Sequence, residues 1–300
     1  MYDSIIIGCG PAGMTSALYL LRAGKSVLLL EREGIGGQIA KSPRLENYPS
    51  IKSISGDEFS NNLFEQVTEL GAQFEFENAI SISKIGEAFL VKGDYSEFEG
   101  RTVVLATGCH HRKLGLPRED ELVGHGISYC ATCDGAFFKG QDVIVVGDAN
   151  TALQYSLLLS DLCVHVQICT LFGHFFADDI LVKRIKEREN VSYRHNLSAK
   201  EYLGDKEIEG MTFVDTQAGD EVTYKANGVF ICIGQQPDNE RFSEFVELND
   251  QGFIVTDENM ATKTPGVFAV GDCRAKSIRQ VVTATNDGAT AAIAISKYLN

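Results

Sequence analysis

Three hundred residues exceed what one hydrophobic core comfortably fills, so two domains are expected. A content of 44% hydrophobic and 23% charged residues is that of an ordinary soluble globular protein and excludes a disordered or low-complexity class. The formal net charge of −14 leaves little room for the basic face that phosphate neutralisation needs, so no nucleic-acid partner is expected.

The chain opens on a short apolar β-branched strand, Ser4 to Ile7. Its apolar part stops at Gly8, far short of a signal-peptide core or a membrane span, so no membrane partner is expected. With eight cysteines and no such leader, the chain reads as a reduced, cytoplasmic protein rather than a disulfide-stapled secreted one. Helical spacing follows over Ala12 to Ala23, ends at Gly24, and gives way to a buried strand, Val27 to Leu30, closed by Glu31. Ile80 to Val104 alternates apolar and polar residues with Gly and Asp punctuation, which predicts a β-meander, and a buried strand closes it at Val103 to Ala106. The opening plan then repeats. Val143 to Val146 is a second apolar run before a Gly turn, Thr151 to Asp161 a second helix, and Val164 to Cys169 a second following strand. A second meander fits Lys200 to Tyr224 and ends in the strand Val229 to Ile233, and from about Pro237 the chain returns through Gly266 to Asp272 to a helix over Thr283 to Tyr298. One domain interrupted by another is the organisation this order predicts.

Two motifs carry chemistry. Gly8-Cys9-Gly10-Pro11-Ala12-Gly13 fits G-x-G-x-x-G, in which glycines allow a tight turn and close backbone approach to a pyrophosphate held at the next helix N-terminus. It follows a strand, opens a helix and is answered by Glu31, an acid placed to bind a ribose hydroxyl. Cys130-Ala131-Thr132-Cys133 is a C-x-x-C, a spacing that lets two sulfurs cycle between dithiol and disulfide and lowers the pKa of one thiol. Half a zinc site is the competing reading, but none of Cys163, Cys169 or Cys232 supplies a second such pair, so no metal is expected. His110-His111-Arg112 is read as a solvated linker, since adjacent histidines diverge, and Cys9, Cys109, Cys163, Cys169, Cys232 and Cys273 as small buried side chains.

With Gly36-Gly37-Gln38, Glu46-Asn47-Tyr48-Pro49, Ala106-Thr107-Gly108, Gly271-Asp272 and Arg279-Gln280-Val281, the chain resembles the low-molecular-weight thioredoxin reductase family from residue 1 to residue 300. The resemblance implies an α/β fold of two Rossmann-like three-layer domains, each with a β-meander, the second inserted into the first. On that plan residues 1–112 and 240–300 form the FAD-binding domain, and residues 113–239 form the inserted domain carrying the cysteine pair. It implies FAD as cofactor, its ADP part on the first βαβ unit, Asp272 at the ribityl chain, and Asn47 with Gln280 and Val281 against the isoalloxazine. Gly36, Gly37, Gln38, Ala106, Thr107, Gly108, Gly271 and Arg279 complete the implied cofactor set. The cysteine disulfide is implied to face the flavin, with Cys133 the flavin-side sulfur and Cys130 the thiol that attacks the substrate. Asp134 is implied as the acid that protonates a departing thiolate, its plain alternative being a helix N-cap or turn aspartate. Thioredoxin as disulfide substrate and a homodimeric assembly complete what the resemblance implies.

The second turn departs from the family. NADPH-dependent members read Gly-Gly-Gly-Asn-Ser/Thr-Ala there, then two glutamates, with His-Arg-Arg ending the next strand and another Arg downstream. This chain has Gly147-Asp148-Ala149-Asn150-Thr151-Ala152, then Gln154-Tyr155, and an ungapped count puts Thr170-Leu171-Phe172 and Phe176 at the basic positions. The carboxylate of Asp148 and the Cβ of Ala149 both oppose a pyrophosphate. That pattern looks like the ferredoxin-dependent flavin thioredoxin reductases, so ferredoxin is the expected electron donor. The competing readings are a reduced deazaflavin or an unusual NADH mode over Leu171, Phe172, Phe175 and Phe176, a flavin thiol oxidase that passes electrons to oxygen, and a non-catalytic flavin scaffold.

Overall fold

The computed structural model describes the whole chain except Pro43, Arg44 and Glu46, and except the side chains of Lys41, Thr132, Cys133 and Gln235. The chain divides into two compact units, Met1–His110 with Gln236–Asn300, and His111–Gln235. The sequence boundaries after residues 112 and 239 lie two and four residues later than these.

In the first unit, β1 (Tyr2–Ile7) runs through α1 (Pro11–Arg22) to β2 (Val27–Glu31), and the two strands pair in parallel with Ser4 opposite Val27 and Ile7 opposite Leu30. Helix α2 (Gly56–Glu69) leads to β3 (Gln73–Phe76), which adds in parallel outside β2. Then β4 (Ser81–Ile85), β5 (Ala88–Lys92) and β6 (Glu97–Leu105) form the antiparallel meander, and the later residues of β6, Gly100 to Leu105, lie parallel beside β1. The chain leaves this unit along β7 (His110–His111).

The second unit contributes α3 (Glu119–Leu122), β8 (Ile127–Ser128), α4 (Ala131–Asp134), β9 (Asp142–Val146), α5 (Asn150–Ser160), β10 (His165–Cys169), α6 (Asp179–Lys186) and β11 (Val191–Arg194). Strands β12 (Leu197–Leu203), β13 (Gly210–Asp215) and β14 (Glu221–Lys225) are its meander, with a register shift between Ala199 and Glu201, and β15 (Gly228–Ile231) closes the sheet. The sheet order β11-β10-β9-β15-β8 is parallel throughout. Strand β16 (Gln235–Gln236), which pairs with β7, carries the chain back. The first unit is completed by β17 (Glu247–Leu248), β18 (Ile254–Val255), β19 (Val267–Ala269) parallel to β6, and α7 (Val281–Tyr298).

Both units have three layers because strand side chains alternate between faces. In the first, Ile6, Leu29, Val104 and Phe268 pack on one face under Met14, Ala17 and Leu20 of α1 and Ala291, Ala292 and Ile295 of α7. Ile5, Ile7, Leu28, Leu30, Val103 and Leu105 pack on the other face against Phe89 and Val91 of the meander. In the second unit Val143, Val145 and Ile168 meet α5 and α6 through Leu153, Leu159 and Ile185, while Ile144, Val146 and Ile231 meet the meander through Met211 and Phe213. Burying each such side chain contributes about 1.5–3 kcal/mol, so both faces of each sheet are closed by their own sequence. No helix among the described residues is long and apolar enough to cross a membrane.

Candidate active site

The first βαβ turn is built around backbone groups. Glu31, at the end of β2, is 9% exposed. Its Oε2 accepts the Cys9 N–H at 2.7 Å, and its Oε1 accepts the N–H groups of Arg32 and Glu33 at 2.9 Å and of Gly34 at 3.4 Å. Three of these four bonds fall on Oε1, so Oε2, which takes one, is the oxygen placed to accept a ribose hydroxyl as well. Helix α1 opens with Pro11 in its first turn and Gly10 as N-cap, with no side chain capping it among the described residues. Its first amides are therefore available to an anion. Gly8 has φ +111°, and a Cβ on Gly13 would lie 2.1 Å from the Gly8 carbonyl oxygen.

Gly13→Ala is expected to push α1 off the turn. The cost is that of overpacking, about 1–3 kcal/mol of stability, and most of the bound flavin is expected to be lost. The flavin-to-protein absorbance ratio after purification, with a thermal melt, measures both. A fully yellow, equally stable variant would show that the turn does not hold the cofactor.

Other sequence-predicted cofactor residues gather around the same unit. The Asn47 amide donates to Gln280 Oε1 at 2.9 Å, and Gln280 is the N-cap of α7 in a reciprocal capping box with Thr283, which makes Val281 the first helical residue. Gly36 N–H reaches Cys9 O at 2.8 Å, Gly37 opens a short 3₁₀ turn, and the Gln38 amide donates to Cys109 O. Ala106 N–H bonds Ile7 O, Thr107 donates to Asn239 Oδ1, and Gly108 has φ +65°. The Arg279 guanidinium stacks 3.9 Å from the Phe253 ring centroid. Glu46, quoted in one family motif, lies outside the described residues.

Asp272, after Gly271, shows a cluster that spacing alone does not reveal. Lys276 Nζ lies 3.4 Å from Asp272 Oδ1 and 3.0 Å from Asp287 Oδ2, and Asp287 also takes Arg274 and the Gly271 N–H. Burial pushes the Asp272 carboxyl above its usual range, and Lys276 opposes this. Among the described residues, Asp272 Oδ1 is buried and, apart from this ion pair with Lys276, makes no hydrogen bond. A buried acceptor paired only with a lysine has capacity for a ribityl hydroxyl, as the uncapped helix has for a pyrophosphate.

In the second unit, Cys130 follows β8 and is 9% exposed. Among the described residues six cysteines are free and buried: Cys9, Cys109, Cys163, Cys169, Cys232 and Cys273. Burial raises all six, to about 12 for Cys109 and Cys232 and about 11 for Cys163, which makes them poor nucleophiles. Cys130 is not one of these, and the Cys133 side chain lies outside the described residues. Asp134 stands at the N-cap position of the 3₁₀ turn Gly135–Phe138, though its side chain makes no capping hydrogen bond there. Its Oδ2 is 2.6 Å from the Ser128 hydroxyl instead.

The histidines diverge as expected, yet they are half-buried with partners rather than solvated. Arg32 donates to His110 Nε2 at 2.7 Å, and the His111 ring stacks on Tyr129 at 5.8 Å. No group of three or more His, Cys, Asp or Glu side chains among the described residues is placed to hold a metal ion.

At the second turn Asp148 lies ahead of α5, its carboxyl raised by burial, and its carbonyl accepts the Phe176 N–H at 2.7 Å. A second carboxylate, Asp178, accepts from Asn150 at 3.1 Å and was not foreseen. Two of the four positions counted as basic hold rings: Phe176 lies 5.4 Å from Phe172 and 4.2 Å from His174. Nearby Arg194 is already paired with Asp215 at 2.8 Å.

The sequence profile described as pyridine nucleotide-disulphide oxidoreductase matches residues 2–288. A thioredoxin reductase of Bacillus subtilis is 41% identical over all of this chain and 95% of its own length. The chain belongs to the thioredoxin reductase family. Its cofactor is therefore FAD. A Lactococcus lactis thioredoxin reductase structure is 36% identical, with TM-score 0.97 and coverage of 100% of this chain and 99% of that one. A ferredoxin-flavin thioredoxin reductase of Clostridium acetobutylicum is more distant: 25% identical, TM-score 0.55, covering 99% of this chain and 97% of that one. The comparisons thus favour ordinary thioredoxin reductases over the ferredoxin-dependent kind.

Proposed function

We propose that this flavoprotein reduces the disulfide of a thioredoxin through Cys130 and Cys133, with Asp134 as the acid. The observation that carries the reading is the C-x-x-C at the end of β8, followed by a carboxylate that is held by Ser128 and not consumed in capping a helix. FAD is held by Gly8, Gly10, Pro11, Ala12, Gly13, Glu31, Gly36, Gly37, Gln38, Asn47, Ala106, Thr107, Gly108, Gly271, Asp272, Arg279, Gln280 and Val281. When bound, it supplies a carrier that accepts electrons singly or in pairs and delivers a pair to a disulfide. Cys130, as thiolate, attacks one substrate sulfur; the substrate disulfide breaks, and the leaving sulfur takes a proton from Asp134. Cys133 then attacks the mixed disulfide, releases the second substrate thiol and restores the Cys130–Cys133 bond, so two electrons have passed to the substrate.

The donor is proposed to be a ferredoxin-type iron–sulfur protein rather than NADPH, on the charges missing at Leu171, Phe172 and Phe176. Homodimeric assembly is retained from the family, with half-exposed Tyr19 of α1 and Ile293 of α7 as apolar surface for it. The free thiols suit a reducing cytoplasm.

A single-turnover experiment tests the reaction without naming the donor. Enzyme reduced by light under nitrogen is mixed with oxidised thioredoxin, and the flavin band is expected to return with one equivalent of thioredoxin dithiol formed. Heat release of the cofactor is expected to give FAD and not FMN, since the first βαβ unit holds an adenosine that FMN lacks. No reoxidation by thioredoxin disulfide would refute the function.

A further inference from the structure

The mechanism asks Asp134 to hold a proton where a sulfur departs, and Cys130 to present its sulfur at the same moment. One side chain touches both residues. Ser128, the last residue of β8, is 3% exposed, and its hydroxyl accepts the Cys130 N–H at 2.9 Å. The same oxygen lies 2.6 Å from Asp134 Oδ2 and 3.2 Å from the Cys130 carbonyl, which itself accepts the Asp134 N–H at 3.1 Å. A serine hydroxyl has one proton to give. The 2.6 Å contact to the Asp134 carboxyl is the shorter of the two and prevails over the 3.2 Å contact to the carbonyl. The hydroxyl therefore joins the backbone of the first cysteine to the carboxyl of the acid four residues later.

We propose that Ser128 is a positioning residue for thiol–disulfide exchange, its hydroxyl aiming the Asp134 carboxyl relative to Cys130. The proposal rests on the disulfide-reductase reading above. Ser128 itself forms and breaks no bond: the electron pair moves from the Cys130 sulfur to the substrate disulfide, and the proton moves from the Asp134 carboxyl to the leaving substrate sulfur. The role of Ser128 is to reduce the orientations open to that carboxyl, which acts on the rate of exchange rather than on substrate affinity. A purely structural serine, one that only closes the turn before Cys130, predicts a different pattern, because its loss would slow the enzyme whether or not Asp134 were intact.

The test compares the holoenzyme with Ser128→Ala, Ser128→Thr, Asp134→Asn and the Ser128→Ala/Asp134→Asn double variant, each checked for flavin content and melting temperature. Light-reduced enzyme is mixed with oxidised thioredoxin and the exchange rate followed by stopped flow, with kcat and KM read separately in turnover. Ser128→Ala is expected to slow exchange about tenfold to thirtyfold with KM within about twofold, as expected for losing one hydrogen bond that orients the acid. Ser128→Thr restores the rate, and the double variant is no slower than Asp134→Asn alone. A wild-type rate in Ser128→Ala, or a further tenfold fall when it is added to Asp134→Asn, overturns the proposal. Should the wild-type reduced enzyme itself fail to reduce thioredoxin, the function and not the positioning role is what has failed.

Discussion

Cys130→Ser and Cys133→Ser are each expected to abolish thioredoxin reduction, lowering turnover by about 10³-fold or more, while flavin content and the melting temperature stay near those of the wild type. Neither half of a dithiol can complete the exchange alone, because a single thiol can open a disulfide but cannot resolve the mixed disulfide it forms. The two variants fail differently. In Cys133→Ser, Cys130 still attacks and the reaction halts at a covalent enzyme–thioredoxin adduct, visible by mass spectrometry; in Cys130→Ser no such adduct accumulates. The cofactor turn, Gly8 to Gly13, belongs to the other compact unit, which is why flavin binding is spared. None of the six free thiols is suited to take over, since each is buried and burial raises each above its ordinary value. Near wild-type turnover in either variant would show that electrons travel by another route, and adducts in Cys130→Ser instead of Cys133→Ser would exchange the roles of the two sulfurs.

What could be read from sequence is what periodicity and local motifs encode. The repeated strand, glycine turn and helix are visible because each strand of β1 and β9 is buried on both faces and must be apolar throughout. Helix α2 went unforeseen although its start carries a signal: Ser55 caps it by accepting the Glu58 N–H at 3.0 Å, an S-x-x-E pattern with acids in the first turn. Its weak apolar stripe, with only Phe59 and Val67 as large buried side chains, hid it. The Ser128–Asp134 contact has no spacing signature, since it joins the end of a strand to the end of a one-turn helix. The same is true of Lys276 with Asp287, eleven residues apart, and of Asn150 with Asp178. The His110–His111 reading failed because local sequence does not show that Arg32 and Tyr129 come up beside them.

Micromolar NADPH or NADH is expected to leave the flavin band unchanged over minutes under nitrogen, whereas reduced ferredoxin bleaches it and sustains thioredoxin reduction. The nicotinamide half of this rests on the second turn. A dinucleotide there would meet the carboxylates of Asp148 and Asp178 and would find Leu171, Phe172 and Phe176 in place of guanidinium groups, with those three side chains 49%, 52% and 55% exposed as an apolar face. Two lost charge-assisted hydrogen bonds, at about 1.5–3 kcal/mol each, weaken a 2′-phosphate site by about two to four orders of magnitude. Dropping the 2′-phosphate does not rescue NADH, because Asp148 and Ala149 act on the pyrophosphate that both nucleotides share. Relatives that are thioredoxin reductases at 39–41% identity weigh the other way, which makes the titration decisive. A matched gain of function sharpens it: Asp148→Gly, Ala149→Gly, Leu171→Arg, Phe172→Arg and Phe176→Arg together are expected to raise the rate of flavin reduction by NADPH about tenfold or more, by restoring the missing charges and the open turn. Rapid bleaching of the unaltered protein by micromolar NADPH would overturn the argument from these side chains, and the aromatic face would then have to be a nucleotide site of a different kind. Failure of ferredoxin alone, with both nicotinamides inert, leaves the charge argument standing and directs the search to another carrier able to reach the flavin.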